Sequence, residues 1–148
     1  MNRKTRGFTL VEILIVVIIL GILAAVVIPQ FTNASSDARN SNLRSQLKTL
    51  RTQVELYKVH HNNSPPPVTS LWTLMLNPTN TSGTTSATAN ATFKFGPYIK
   101  QTPTNPINGR TGVSTAATDT NAGWYYTVNG SQYTFRARNI TGAAITTY

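Results

Sequence analysis

The sequence predicts an α+β protein. One long N-terminal helix, membrane-buried in its first half and amphipathic in its second, packs on a small antiparallel β-sheet. Three observations carry that prediction. Residues 13–28 contain no charged and no hydrogen-bonding side chain. Leu43, Leu47, Leu50, Val54 and Tyr57 then recur at helical spacing. Near the C-terminus, two runs of alternating aromatic residues flank Asn129-Gly130. A chain of 148 residues fits one domain.

The first element is a membrane helix. Residues 1–7, Met-Asn-Arg-Lys-Thr-Arg-Gly, form a short basic leader, and an apolar run follows. As a helix, residues 8–28 rise about 31 Å at ~1.5 Å per residue, which matches a hydrocarbon core of roughly 30 Å. The β-branched run is a modest helix former in water. In lipid the backbone must satisfy its own hydrogen bonds, so helix is the expected state. Arg3, Lys4 and Arg6 precede the run, which keeps the N-terminus cytoplasmic and sends the rest outward. A cleaved secretory signal shares this layout. Here, however, the apolar stretch is long, no Ala-x-Ala site follows closely, and a carboxylate sits near its start. A buried core helix fits poorly in a chain of this size. A plain single-pass anchor accounts for the length but leaves Gly7 and Glu12 unexplained.

Glu12 is the anomaly in this stretch. A carboxylate at the centre of a membrane helix costs about 2.5–3.5 kcal/mol on insertion scales, and less near the edge. Glu12 therefore needs a partner. The leader cations can snorkel toward it. Alternatively, a cut after Gly7 would make Phe8 the N-terminus, with an amine of pKa about 7.7–8.0 that is mostly charged at neutral pH. Phe8 and Glu12 are four residues apart and are expected to share a helix face. Glu12 of one subunit could then meet the terminal amine of the next, which favours a staggered helical assembly.

The segment Gly7-Phe8-Thr9-Leu10-Val11-Glu12 has the basic leader before it and the apolar helix, up to Pro29, after it. It resembles the class III signal of type IV pilins and type II secretion pseudopilins. The resemblance implies a pilin-like fold. It also implies that a prepilin peptidase cuts the Gly7–Phe8 bond on the cytoplasmic side and N-methylates Phe8, and that Glu12 guides subunit docking. A methyl group leaves the amine charged, as the pairing requires.

The stem continues as the second half of the helix, residues 29–62. Pro29 removes one hydrogen bond and should kink or loosen the helix; the resemblance implies that this stretch can melt on assembly. Beyond residue 36 the leucine stripe marks one apolar face, too short for a free coiled coil. It is expected to lie against a sheet of the same chain. Arg39, Arg44, Lys48 and Arg51 could contact nucleic-acid phosphates, but a solvated basic face is the preferred reading. Residues 62–67, Asn-Asn-Ser-Pro-Pro-Pro, end the helix.

Residues 63–148 form a β-rich head. Residues 68–76 suggest one or two helical turns ending at Asn77-Pro78, and the uncharged Thr/Ser/Asn-rich stretch 79–92 reads as a surface loop or mobile insertion. Residues 123–128 and 132–137 flank Asn129-Gly130 as a tight hairpin. Trp124, Tyr126, Tyr133 and Phe135 are expected to be core aromatics packed on the helix stripe. The order of segments, with Gly96-Pro97-Tyr98-Ile99, the Asn105-to-Gly109 turn and Gly123-Trp124-Tyr125-Tyr126, resembles the major pseudopilin type. Type IVa pilins usually close their C-terminal loop with a disulfide, which a cysteine-free chain cannot form. Pseudopilins of the kind it resembles often bind calcium in a loop before the last strands, so calcium is possible here although no cofactor is expected. There Thr118-Asp119-Thr120-Asn121 offers one carboxylate, Asp119, where calcium usually takes more charge.

Catalytic constellations are weak. Asp37, Asp119, Glu12 and Glu55 are the whole acidic inventory, which leaves few parts for carboxylate chemistry. His60 and His61 are adjacent near a helix end and read as solvated histidines, not a metal pair. The net charge is +9; removal of residues 1–7 leaves ten bases against four acids, +6. The chain is thus expected to be a non-enzymatic subunit that polymerises with itself from the bacterial inner membrane. Its N-terminus would be cytoplasmic and its head periplasmic, with the filament periplasmic or on the cell surface. The resemblance names as partners the prepilin peptidase, minor pseudopilins and an inner-membrane assembly platform. It favours the major pseudopilin of a type II secretion system, with a type IV pilus subunit for adhesion, motility or DNA uptake as the alternative.

Overall fold

The computed structural model describes residues 7–146; the leader cations Arg3, Lys4 and Arg6 lie outside the described residues. A single helix, α1, runs over Leu10–His60. A 3-10 turn over Val68–Ser70 leads into the short α2, Leu71–Leu76, which ends at Asn77-Pro78 as expected. Three strands follow: β1 Val113–Ser114, β2 Trp124–Asn129 and β3 Gln132–Ala137. The chain divides into two compact units, one ending at Ala38 and the other beginning at Arg39.

In the first unit every described apolar side chain from Phe8 to Phe31 is exposed. A helix that is apolar on all sides and touches nothing suits lipid. Among the described residues, α1 is the one helix long and apolar enough to cross a membrane. Helical structure runs through Pro29. Proline has no N–H to donate, so the carbonyl of Ala25 loses its usual partner. One turn on, the Thr32 hydroxyl donates to the Ile28 carbonyl at 3.1 Å.

In the second unit the predicted stripe is the core. Leu43, Leu47, Leu50, Val54 and Tyr57 are each at most 3% exposed. They pack with Leu71, Leu74 and Met75 of α2, with Tyr98, and with Trp124, Tyr126, Phe135 and Ala137 of the sheet. Burying each large apolar side chain is worth about 1.5–3 kcal/mol. The polar head therefore depends on the helix for much of its core. Arg51 lies partly within this packing: its guanidinium donates twice to the Phe135 carbonyl, at 2.8 and 3.2 Å. Lys58 is buried as well, paired with Glu55 at 3.2 Å. These two bases are not part of a uniformly solvated face.

The sheet has the order β1-β2-β3. β2 and β3 form the expected antiparallel hairpin, from Trp124↔Ala137 to Asn129↔Gln132. Asn129 is still a strand residue, so the two-residue loop is Gly130-Ser131, one position later than the Asn129-Gly130 turn read from the sequence. Gly130 has φ 59°, a left-handed value that glycine adopts without Cβ strain. β1 was not anticipated, and it pairs with β2 in parallel, Val113↔Trp124 and Ser114↔Tyr125. The sheet is therefore mixed, with an antiparallel hairpin as its main part.

The helix stop is built from asparagine. Asn62 and Asn63 both adopt left-handed φ, 52° and 62°, and the Asn63 N–H donates to the Lys58 carbonyl at 2.8 Å. Pro66 then lies fully buried, and its carbonyl accepts the Tyr126 hydroxyl at 2.9 Å. The 79–92 stretch is anchored at its first residue: Thr79 is fully buried and bridges both Thr85 and Phe95.

Candidate functional site

The N-terminal site begins with three non-helical residues. Gly7, Phe8 and Thr9 precede α1. Among the described residues no heavy atom lies within 4 Å of where a Gly7 Cβ would stand, and Phe8 is 77% exposed. The Gly7–Phe8 bond thus lies outside the helix and is exposed. Phe8 does not share a helix face with Glu12, contrary to the expectation from spacing, because the helix starts later.

What starts it is a capping box. The Glu12 N–H donates to the Thr9 hydroxyl at 3.2 Å, and the Thr9 N–H donates to the Glu12 carboxylate at 3.4 Å. Thr9 is the N-cap and Glu12 the third helical residue, so two orphan donors of the first turn are satisfied reciprocally. The positive end of the helix dipole also favours the carboxylate there. Glu12 therefore has a partner within its own chain. Thr9 was overlooked in the sequence, although its Thr-x-x-Glu spacing is the signature of this cap.

The second candidate was Asp119. Its Oδ1 accepts the Asn121 N–H at 2.8 Å. That bond, with the Ser114 hydroxyl and the charge of Arg138, holds its carboxyl below the usual range. The centre of the surrounding loops is Arg138, which is fully buried. Its guanidinium donates to the carbonyls of Trp124 at 3.3 Å, Ser114 at 3.2 Å and Ala117 at 3.5 Å, and also to those of Ala116 and Gly142. Burial pushes its pKa down, and Asp119 opposes the shift. Nothing in the sequence had marked Arg138 apart from other strand-end bases. Calcium takes six to eight oxygens, several of them anionic. Here one carboxylate is present, and the nearby carbonyls already serve a cation. The residues do not fit a calcium ion. Among the described residues no cluster of three or more His, Cys, Asp or Glu side chains could hold a metal.

Asn105 closes the same region from the other side. It is fully buried, and its amide donates to the carbonyls of Gly123 at 2.7 Å and Arg138 at 2.8 Å. The turn after Asn105 is thereby tied to the residue before β2 and the residue after β3.

The histidines pack against aromatic rings rather than standing free in solvent. His61 is 4% exposed and stacks on Tyr57 with ring centroids 3.7 Å apart. His60 stacks on Phe95 at 4.4 Å, and its Nδ1 lies 3.0 Å from the Tyr98 hydroxyl. The loop carrying Phe95 and Tyr98 folds back over the helix end, and local spacing gave no sign of that long-range contact.

Residues 2–28 match the family model described as the prokaryotic N-terminal methylation motif. The chain is 32% identical to type II secretion system core protein G of Aeromonas hydrophila over 105 residues, covering 71% of this chain and 69% of that protein. It is also 32% identical to the protein of that name from Vibrio cholerae over 104 residues, covering 70% and 66%. With the type IV major pilin protein PilA of Myxococcus xanthus it shares 47% identity over 51 residues, 34% of this chain and 23% of that one. No solved structure matches significantly.

Proposed function

Since the chain belongs to the type II secretion system core protein G family, we propose that it is the major pseudopilin of a type II secretion machine. In this reading it is a structural subunit, not an enzyme. It polymerises from the inner membrane into a short periplasmic filament that helps move folded proteins outward. The observation that carries the reading is a match over most of both chains, reaching far beyond the N-terminal motif.

The residues take defined parts in this reading. A prepilin peptidase cuts the exposed Gly7–Phe8 bond and methylates the new amine of Phe8. In the inserted monomer Thr9 caps the helix and shares the Glu12 carboxylate. On docking, Glu12 pairs with the amine of a neighbouring subunit, and two groups that are costly alone in lipid become a pair. Pro29 marks where the helix can loosen as the subunit leaves the membrane. Minor pseudopilins and an assembly platform in the inner membrane receive it.

A type IV pilus subunit for adhesion, motility or DNA uptake is the alternative, and it rests on the shorter likeness to PilA. A deletion strain separates the two. The secretion reading expects folded exoproteins to accumulate in the periplasm while surface pili and twitching persist. Normal secretion with loss of pili would overturn it.

A further inference from the structure

The resemblance makes a calcium ion possible in the loop before the last strands, and the residues there do not suit one. We infer that Arg138 supplies a built-in cation at this place, so that the head folds and assembles without any divalent ion.

The guanidinium reaches carbonyls from three separate segments. Ser114, Ala116 and Ala117 belong to β1 and the loop after it, Trp124 opens β2, and Gly142 lies in the C-terminal loop. A guanidinium offers five donors in a fixed planar fork, so one side chain can serve several acceptors in a cage. The cage is further closed by the Asp119 N–H, which donates to the Gly142 carbonyl at 3.0 Å, and by the antiparallel bridges Thr118↔Ala143 and Arg138↔Ala144. Gly142 has φ 80°, and a Cβ there would lie 2.5 Å from the Asp119 carbonyl, so the two loops touch backbone to backbone. The Arg138 guanidinium also lies 5.5 Å from the centroid of the Tyr125 ring. Asp119 offsets the charge from the loop rim, where its Oδ1 accepts the Asn121 N–H. A dication entering here would have to displace the guanidinium from its oxygens while being repelled by it. The inference concerns the head alone and does not depend on whether the filament serves secretion or a pilus.

The test uses the mature full-length chain in detergent, with thermal unfolding followed by near-UV circular dichroism, in excess EGTA and in 1 mM calcium chloride. A resident ion held at about a hundredfold its dissociation constant would move the midpoint of a domain this size by roughly 5 °C or more. The expected shift is under about 1 °C, with no sensitised terbium luminescence from Trp124 or Tyr125. A midpoint that falls on chelation and returns with calcium overturns the inference, as does terbium emission abolished by Asp119→Asn. In parallel, Arg138→Lys keeps the charge but loses the fork. It is expected to melt well below the wild type or to accumulate unfolded, and a variant that melts like the wild type overturns the role given to Arg138. Filaments that form equally in cells grown with and without EGTA are the expected result in vivo.

Discussion

Glu12 carries two tasks that a single substitution confounds. Its side chain caps the helix, and in the proposed assembly its charge pairs with a neighbour's amine. Glu12→Gln keeps an oxygen able to accept the Thr9 N–H but carries no charge, whereas Glu12→Ala loses both. Both variants are expected to insert and to be processed. Intact mass should show loss of the first seven residues and one added methyl on Phe8. Both are expected to form few or no filaments, because the charge is what assembly uses. Abundant filaments from Glu12→Gln would show that capping, not pairing, is the requirement. The residue scale is also where the sequence was hardest to read. Gly7, Phe8 and Glu12 stood out because lipid makes a lone carboxylate conspicuous. Arg138 did not, because a base beside a strand end looks solvated until loops distant in sequence close over it. The buried His61 escaped for the same reason.

Elements were legible in proportion to their period. The α1 stripe repeats over four turns, and all its members are buried. The hairpin repeats every second residue, and its faces were placed correctly even though the turn lay one residue later. β1 has two residues, and two residues have no period to detect. The stripe also carries a direct expectation. Leu47→Ala removes a side chain that is 1% exposed and is expected to cost about 2–5 kcal/mol, read as a lower urea midpoint of the head. Ile18→Ala, on the exposed membrane segment, should leave that midpoint unchanged. If Leu47→Ala costs nothing measurable, α1 is not the support on which the head packs.

At the scale of the whole molecule, the phenols set an alkaline limit. Burial first, and then the neighbouring Tyr98, raises the Tyr57 pKa to about 12. Burial and the charge of Glu55 do the same for Tyr133. Tyr126 is raised too, chiefly by burial. The folded state thus favours the neutral phenol, whereas an unfolded tyrosine ionises near pH about 10. The stability linked to these groups is fully present below about pH 10 and is lost as pH rises from there toward about 12. Unfolding midpoints should hold steady from pH 7 to 9 and then fall. Tyrosinate absorbance at 295 nm should lag behind free tyrosine until the fold is lost. Ordinary titration near 10 in a protein that stays folded would contradict the packing described. The chain's 40% of hydrophobic residues averages a bare apolar helix with a polar head whose core the helix completes.

The Arg138 cage has a consequence for how this surface can drift. All five acceptors are main-chain oxygens. The loop is thus held by its path and is indifferent to the letters along it. Ala116 and Ala117 can change their side chains without loosening a single bond to the guanidinium. Gly142, pressed against Asp119, cannot. A lineage could therefore rewrite the chemistry displayed on this loop, and so the neighbours it meets, while the loop keeps its shape.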